Sequence, residues 1–90
     1  MTIDKKMNDR TWFYPNPARE RITFIVPPQG CRQFMISFIN IYGVKVKEFL
    51  VDFSALEFEK DLNIEDISPG LYLVIIEEQN QAHFNKLIIE

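Results

Sequence analysis

Ninety residues make one domain and not two, because chains divide only well past ~150 residues. An apolar content of 47% excludes a disordered chain, and ten basic against thirteen acidic side chains leave a net charge of −3 with no basic cluster for nucleic acid. The single Cys31 excludes an internal disulfide, Cys31 with the single His83 is too few ligands for structural zinc, and no run approaches the ~20 apolar residues of a membrane span.

The apolar residues are mainly β-branched and aromatic: twelve Ile, five Val and twelve aromatics against three Ala. Such side chains fit the pleated surface of a strand better than a helix. Period-two alternation cut by turn residues replaces any helical stripe, so the chain reads as all-β.

Residues 1–10 read as a polar leader or linker, and residues 11–90 as the domain. The first ten place Ile3 and Met7 among charges and lack a signal-peptide core, so any export signal is expected outside this chain. Residues 11–14 form a short aromatic strand, stopped by Pro15-Asn16-Pro17, where two prolines remove two ladder donors. Residues 20–26 alternate, with Ile22, Phe24 and Val26 on one face, and Pro27-Pro28-Gln29-Gly30 ends them. Residues 33–41 carry Phe34, Ile36 and Phe38 on one face and Met35, Ser37, Ile39 and Ile41 on the other. Both faces are mostly apolar, which places this strand centrally.

Asn40-Ile41-Tyr42-Gly43 is a tight turn, with Gly43 in the left-handed region. Residues 44–51 are expected to point Val44, Val46 and Leu50 inward and Lys45 and Lys47 to water. Residues 55–64 set Leu56, Phe58, Leu62 and Ile64 against Glu57, Glu59, Asp61 and Asn63, with Lys60 marking a bulge. Asp66-Ile67-Ser68-Pro69-Gly70 places Pro and Gly for the centre of a type II turn. Residues 71–77 and 83–89 are the last two strands, joined through Gln79-Asn80-Gln81. About seven strands at this spacing predict an antiparallel, immunoglobulin-like β-sandwich without a disulfide.

From Phe13 onward the turn signals become specific. Tyr14-Pro15-Asn16-Pro17 comes first, then Asn40-Ile41-Tyr42-Gly43, then Pro69-Gly70-Leu71-Tyr72, and last Lys86-Leu87-Ile88-Ile89. In this order they closely resemble the C-terminal sorting domain of type IX secretion cargo proteins from Bacteroidetes, over nearly the whole chain. The terminus departs from that family in having Lys86 as its lone basic residue between Asn85 and Glu90.

The resemblance implies a non-catalytic signal that directs an attached N-terminal cargo across the outer membrane. A sortase-like peptidase then usually removes it at the surface. The implied sorting-motif residues are Pro15, Asn16, Pro17, Asn40, Gly43, Gly70, Tyr72, Lys86, Leu87, Ile88 and Ile89. The implied partners are the outer-membrane secretion and sortase machinery, met through the C-terminal strand, and the implied location is the cell surface or medium, reached through the periplasm.

Most motif residues also have a plain structural role. The prolines turn a corner, Gly43 and Gly70 make turns, and Tyr72 resembles the tyrosine corner of sandwiches. The last strand admits two readings. Either its edge offers unpaired backbone groups to the machinery, with Lys86 and residues 87–89 as side-chain contacts, or those residues pack in the core. An edge-strand dimer is a further option.

Elsewhere, His83 reads as a surface or edge residue and Cys31 as an incidental thiol. Glu57, Glu59 and Asp61 could touch calcium but read better as a solvated face. Trp12 and Tyr14 could stack on a sugar but fit packing better. No nucleophile–base pair, metal-ligand set or phosphate-binding glycine loop occurs, so neither catalysis nor a cofactor is expected. A stand-alone immunoglobulin-like interaction or carbohydrate-binding module is the alternative function.

Overall fold

Seven strands follow the alternating segments in chain order: β1 (Phe13–Tyr14), β2 (Arg21–Ile25), β3 (Arg32–Ile39), β4 (Lys45–Phe53), β5 (Glu59–Asn63), β6 (Gly70–Glu78) and β7 (Gln81–Ile89). The computed structural model describes residues 12–26 and 32–90. Residues 1–11, the Pro27-Pro28-Gln29-Gly30 segment expected to end the second strand, and Cys31 lie outside the described residues. The strands form two antiparallel sheets, one of three strands in the order β1-β2-β5 and one of four in the order β4-β3-β6-β7. As the doubly apolar pattern predicts, β3 lies inside its sheet, between β4 and β6.

The sheets meet through rings contributed by both. Phe24 of β2 lies edge-on to Phe34 of β3 with centroids 5.3 Å apart, and 5.9 Å from Phe53 of β4. Trp12 stacks on Phe24 at 5.9 Å. Each buried ring contributes roughly 1.5–3 kcal/mol, and a well-oriented aromatic pair about 0.5–1.5 kcal/mol more. Ile22, Ile36, Phe38, Ile64, Val74, Ile76 and Leu87 complete this core with no exposure at all.

Strand β4 faces the opposite way from the sequence expectation. Residues directly opposite in a ladder share a face, and the buried Phe34 and Ile36 lie opposite Val51 and Phe49. Phe49, Val51 and Phe53 therefore turn inward, while Val44, Val46 and Leu50 are exposed. The pairing slips between Phe38 and Ile39, so the Val-Lys alternation before that point does not carry into the strand. Lys47 is half-buried instead of facing water. Its ammonium bonds Asp66 at 2.7 Å and sits 5.4 Å over the Phe49 ring.

The segment 55–64 also differs. Only Glu59–Asn63 is strand, and Leu56 and Phe58 are exposed while Leu62 and Ile64 are buried. Glu57 closes the preceding turn by accepting the Ser54 N–H at 2.8 Å and its hydroxyl at 3.0 Å. Lys60 makes no bulge, since it lies opposite Phe24 in continuous register, with Glu57 accepting from its ammonium at 2.9 Å.

The next corner is closed by the Ile67 N–H donating to the Ile64 carbonyl at 3.0 Å, four residues earlier than expected. Gly70 opens β6 with φ +154°, not the ~+80° of a type II turn's third residue. The Asn40–Gly43 turn is as expected. Gly43 has φ +81°, its N–H donates to the Asn40 carbonyl at 2.9 Å, and the Asn40 side-chain oxygen accepts from the amides of Tyr42 and Val44.

Candidate functional site along the last strand

Strand β7 pairs with β6 on one side only, in continuous register from Glu78–Gln81 to Gly70–Ile89. Successive residues of such a strand alternate between the sheet faces, and their backbone groups alternate between the partner and the open edge. Leu87 and Ile89 point into the core at 0% and 3% exposure, whereas Lys86 and Ile88 face solvent. The motif residues thus divide by parity. Leu87 and Ile89 anchor the strand, and Lys86 and Ile88 are its accessible side chains.

The open edge of this strand end is covered. Asn16 reaches across 70 residues of sequence to donate its side-chain N–H to the Lys86 carbonyl at 3.0 Å. Its side-chain oxygen accepts the Ile88 N–H at 3.0 Å. Ala18 continues the contact in a parallel bridge with Ile89: its N–H donates to the Ile88 carbonyl, and its carbonyl accepts the Glu90 N–H, both at 2.8 Å. Arg19 and Glu90 add an exposed ion pair at 3.6 Å. Proline suits the flanking positions because Pro15 and Pro17 have no N–H to leave unpaired beside the strand. Both prolines follow cis peptide bonds.

This strap changes the sequence reading of the terminus. The row of unpaired backbone groups offered by one of the two readings is not found between Lys86 and Glu90, because Asn16 and Ala18 already satisfy the outward-pointing ones. The first and last motif elements form one surface. Ala18, buried at 1% exposure, belongs to it although nothing in the local pattern marks it. Farther along the same edge, the Phe84 carbonyl accepts from the Asn85 side-chain N–H at 2.7 Å.

The other motif residues hold the strand that β7 pairs with. The Tyr72 hydroxyl donates to the Ser68 carbonyl at 2.5 Å and ties the start of β6 to the preceding corner, the arrangement expected of a tyrosine corner. Gly70 faces Ile89 and Tyr72 faces Leu87 across the ladder. Asn40 and Gly43 shape the β3–β4 turn at the same end of the sheet, where Asn40, Tyr72 and Lys86 line one shallow surface pocket.

The minor candidates resolve into packing. Trp12 is buried against Phe24 and Phe34, whereas Tyr14 is exposed, so the two do not form one sugar-stacking platform. Trp12 precedes β1, and its carbonyl accepts the Ile25 N–H at 2.8 Å. His83 is half-buried on β7, its ring 4.5 Å from that of Trp12 and its Nε2 3.6 Å from a Glu78 oxygen. Glu78 in turn takes both contacts from Arg32, at 2.8 and 3.0 Å. Glu57 and Asp61 are engaged by Lys60 and Thr23, and among the described residues no group of three His, Cys, Asp or Glu side chains could hold a metal ion.

A family model described as the secretion system C-terminal sorting domain matches residues 12–90. The chain belongs to this family. No curated protein and no solved structure matches it. As a sorting domain, the chain is a C-terminal signal for type IX secretion, whose cargo is secreted or held at the cell surface. The family is generally non-catalytic. No helix among the described residues is long and apolar enough to cross a membrane. The residues that carry the sequence resemblance form a strap, the strand it covers, the corner that positions that strand and the β3–β4 turn.

Proposed function

We propose that this sorting domain is read in its folded form, at the surface where Pro15-Asn16-Pro17 covers the end of β7. Lys86 and Ile88 supply the accessible charge and apolar contact, Leu87 and Ile89 hold them in place, and Asn16 joins the two ends of the motif. Gly70 and Tyr72 set the neighbouring strand, and Asn40 and Gly43 close the turn at the same end of the sheet. The domain, residues 11–90, follows a linker over residues 1–10, and its cargo is joined on that side. It is a substrate of the secretion and sortase machinery, performs no chemistry itself and is removed from the cargo at the surface. The observation that carries this reading is the pair of Asn16 hydrogen bonds to Lys86 and Ile88.

The architecture supports an immunoglobulin-like assignment. The order β1-β2-β5 facing β4-β3-β6-β7 corresponds to strands A-B-E against C′-C-F-G, and Tyr72 occupies the E–F corner.

A fusion of the full chain behind a signal peptide and a fluorescent reporter, expressed in a bacterium with type IX secretion, tests the proposal. The intact fusion should reach the surface or medium, and removing residues 86–90 should hold it in the periplasm. Because truncation can unfold the domain, Lys86→Glu serves as the milder variant. An exposed charge exchange leaves stability within about 0.5 kcal/mol, so its loss of export reports recognition. A folded, intact fusion that stays in the periplasm overturns the assignment.

A further inference from the structure

The outward face of the four-stranded sheet carries several large apolar side chains. Leu50 of β4, Met35 of β3, Leu73 and Ile75 of β6, and Phe84 and Ile88 of β7 share it. Phe84 is 59% exposed and Leu50 58%. Nothing among the described residues packs over them. Isolated surface apolar residues need no explanation, but a contiguous patch of several hundred Å² on a small domain marks an interaction surface. Four strands about 4.8 Å apart and about eight residues long give a footprint of roughly 500 Å². Side chains standing above the sheet raise its accessible area toward the ~800 Å² that each partner contributes to a stable interface.

The charges on this face are ordered along the strands. Glu77 lies opposite Met35, toward one end. Lys45 lies opposite Ile39 and Lys86 opposite Leu73, toward the other. Between them runs the cross-strand row Glu48–Ser37–Ile75–Phe84. Lys45 bonds Glu48 at 2.6 Å within the same face, so the acid on this row is already paired, and Glu77 and Lys86 are the charges placed to meet across an interface.

We propose that two copies of this chain associate through this face, about a two-fold axis that crosses the strands along the Ser37–Ile75–Phe84 row. That axis carries the lysine end of one copy over the Glu77 end of the other, setting Lys86 near Glu77 of the second copy and Phe84 against its counterpart. An axis parallel to the strands between β3 and β6 would instead set Lys45 on Lys86. The two sheets then pack about 10 Å apart with aligned strands, as sandwich sheets do. A face complementary to itself under one rotation identifies a second copy as the occupant.

Sedimentation velocity of the full chain from about 5 µM to 0.5 mM tests this, with circular dichroism and thermal melts as the check on folding. The parent should pass from monomer to dimer across that range. Phe84→Glu, and independently Leu50→Lys on the opposite edge strand, should raise the dissociation constant at least tenfold. Glu77→Lys should weaken association, and adding Lys86→Glu to it should restore the parent behaviour. A parent that stays monomeric at 0.5 mM overturns the proposal and leaves the face to a different protein. A dimer that survives both apolar substitutions places association elsewhere, for instance on a strand edge. Failure of the double charge exchange to rescue overturns the axis.

Discussion

Replacing Asn16 by alanine removes both hydrogen bonds that fasten the strap to β7 without touching the core. Both are 3.0 Å long and lie at the surface. An exposed hydrogen bond contributes at the lower end of ~0.5–1.5 kcal/mol, so Asn16→Ala should cost about 1–2 kcal/mol. If the strap opens as a unit, the cost appears first in amide exchange. The Ala18 and Glu90 amides, whose acceptors are the Ile88 and Ala18 carbonyls, should exchange about 5–30 times faster. The Ile88 amide, having lost its own acceptor, should exchange faster still. Amides of β3, such as Ile36, should accelerate only to the extent that global stability falls. In a domain of this size each kcal/mol lost globally lowers Tm by about 4–8 °C, so the melt separates local from global loss. Unchanged exchange at Ala18 and Glu90 would show that the strap is held independently of Asn16 and refute the reasoning.

Three further outcomes follow from the geometry. Tyr72→Phe deletes the bond to the Ser68 carbonyl and should cost about 1 kcal/mol, read as a Tm lower by about 4–8 °C; a parent-like melt would show that the corner holds without it. Gly43→Ala meets no atom within 4 Å of the new Cβ, so its cost is the strain of φ +81° alone, about 1–2 kcal/mol in denaturant titration, and a neutral result contradicts the positive φ. Glu57 is held at about 2, below its ordinary 4.5, first by the Ser54 amide, then by Lys60 and the Ser54 hydroxyl. A carboxylate lowered in the folded state stabilises it above the unfolded value, and that contribution is lost as pH falls from about 4.5 toward 2. Its carboxyl carbon should titrate near 2 by NMR, and Lys60→Met should raise the midpoint; a midpoint at the ordinary value removes the turn's electrostatic anchor.

The segment 20–26, with one apolar and one polar face, was legible in sequence: Ile22, Phe24 and Val26 are buried as their spacing predicts, and so are Phe34, Ile36 and Phe38 of β3. Strand β4 misled because the outer face of its sheet is itself apolar. With Val44, Val46 and Leu50 on one side and Phe49, Val51 and Phe53 on the other, alternation cannot choose the inner face, and pairing with Phe34 and Ile36 decides it. At the site, the motif order marked both the Pro-Asn-Pro corner and the last strand, and the tyrosine bond was readable from its place after Gly70. The contact between Asn16 and β7 was not readable, since it joins residues 70 and 72 apart and no local periodicity encodes such a pairing. Ala18 and the Trp12–His83 packing were hidden for the same reason.

The central claim is that the strap and the last strand are one surface read by the secretion machinery. Its most direct test is the fraction of reporter exported by the Asn16→Ala fusion. The comparison is Ile22→Val, a core change of similar size at roughly 0.5–1.5 kcal/mol on β2, outside the strap. With both variants folded at growth temperature, the account predicts that Ile22→Val is exported like the parent while Asn16→Ala accumulates in the periplasm. Parent-level export of Asn16→Ala would contradict it.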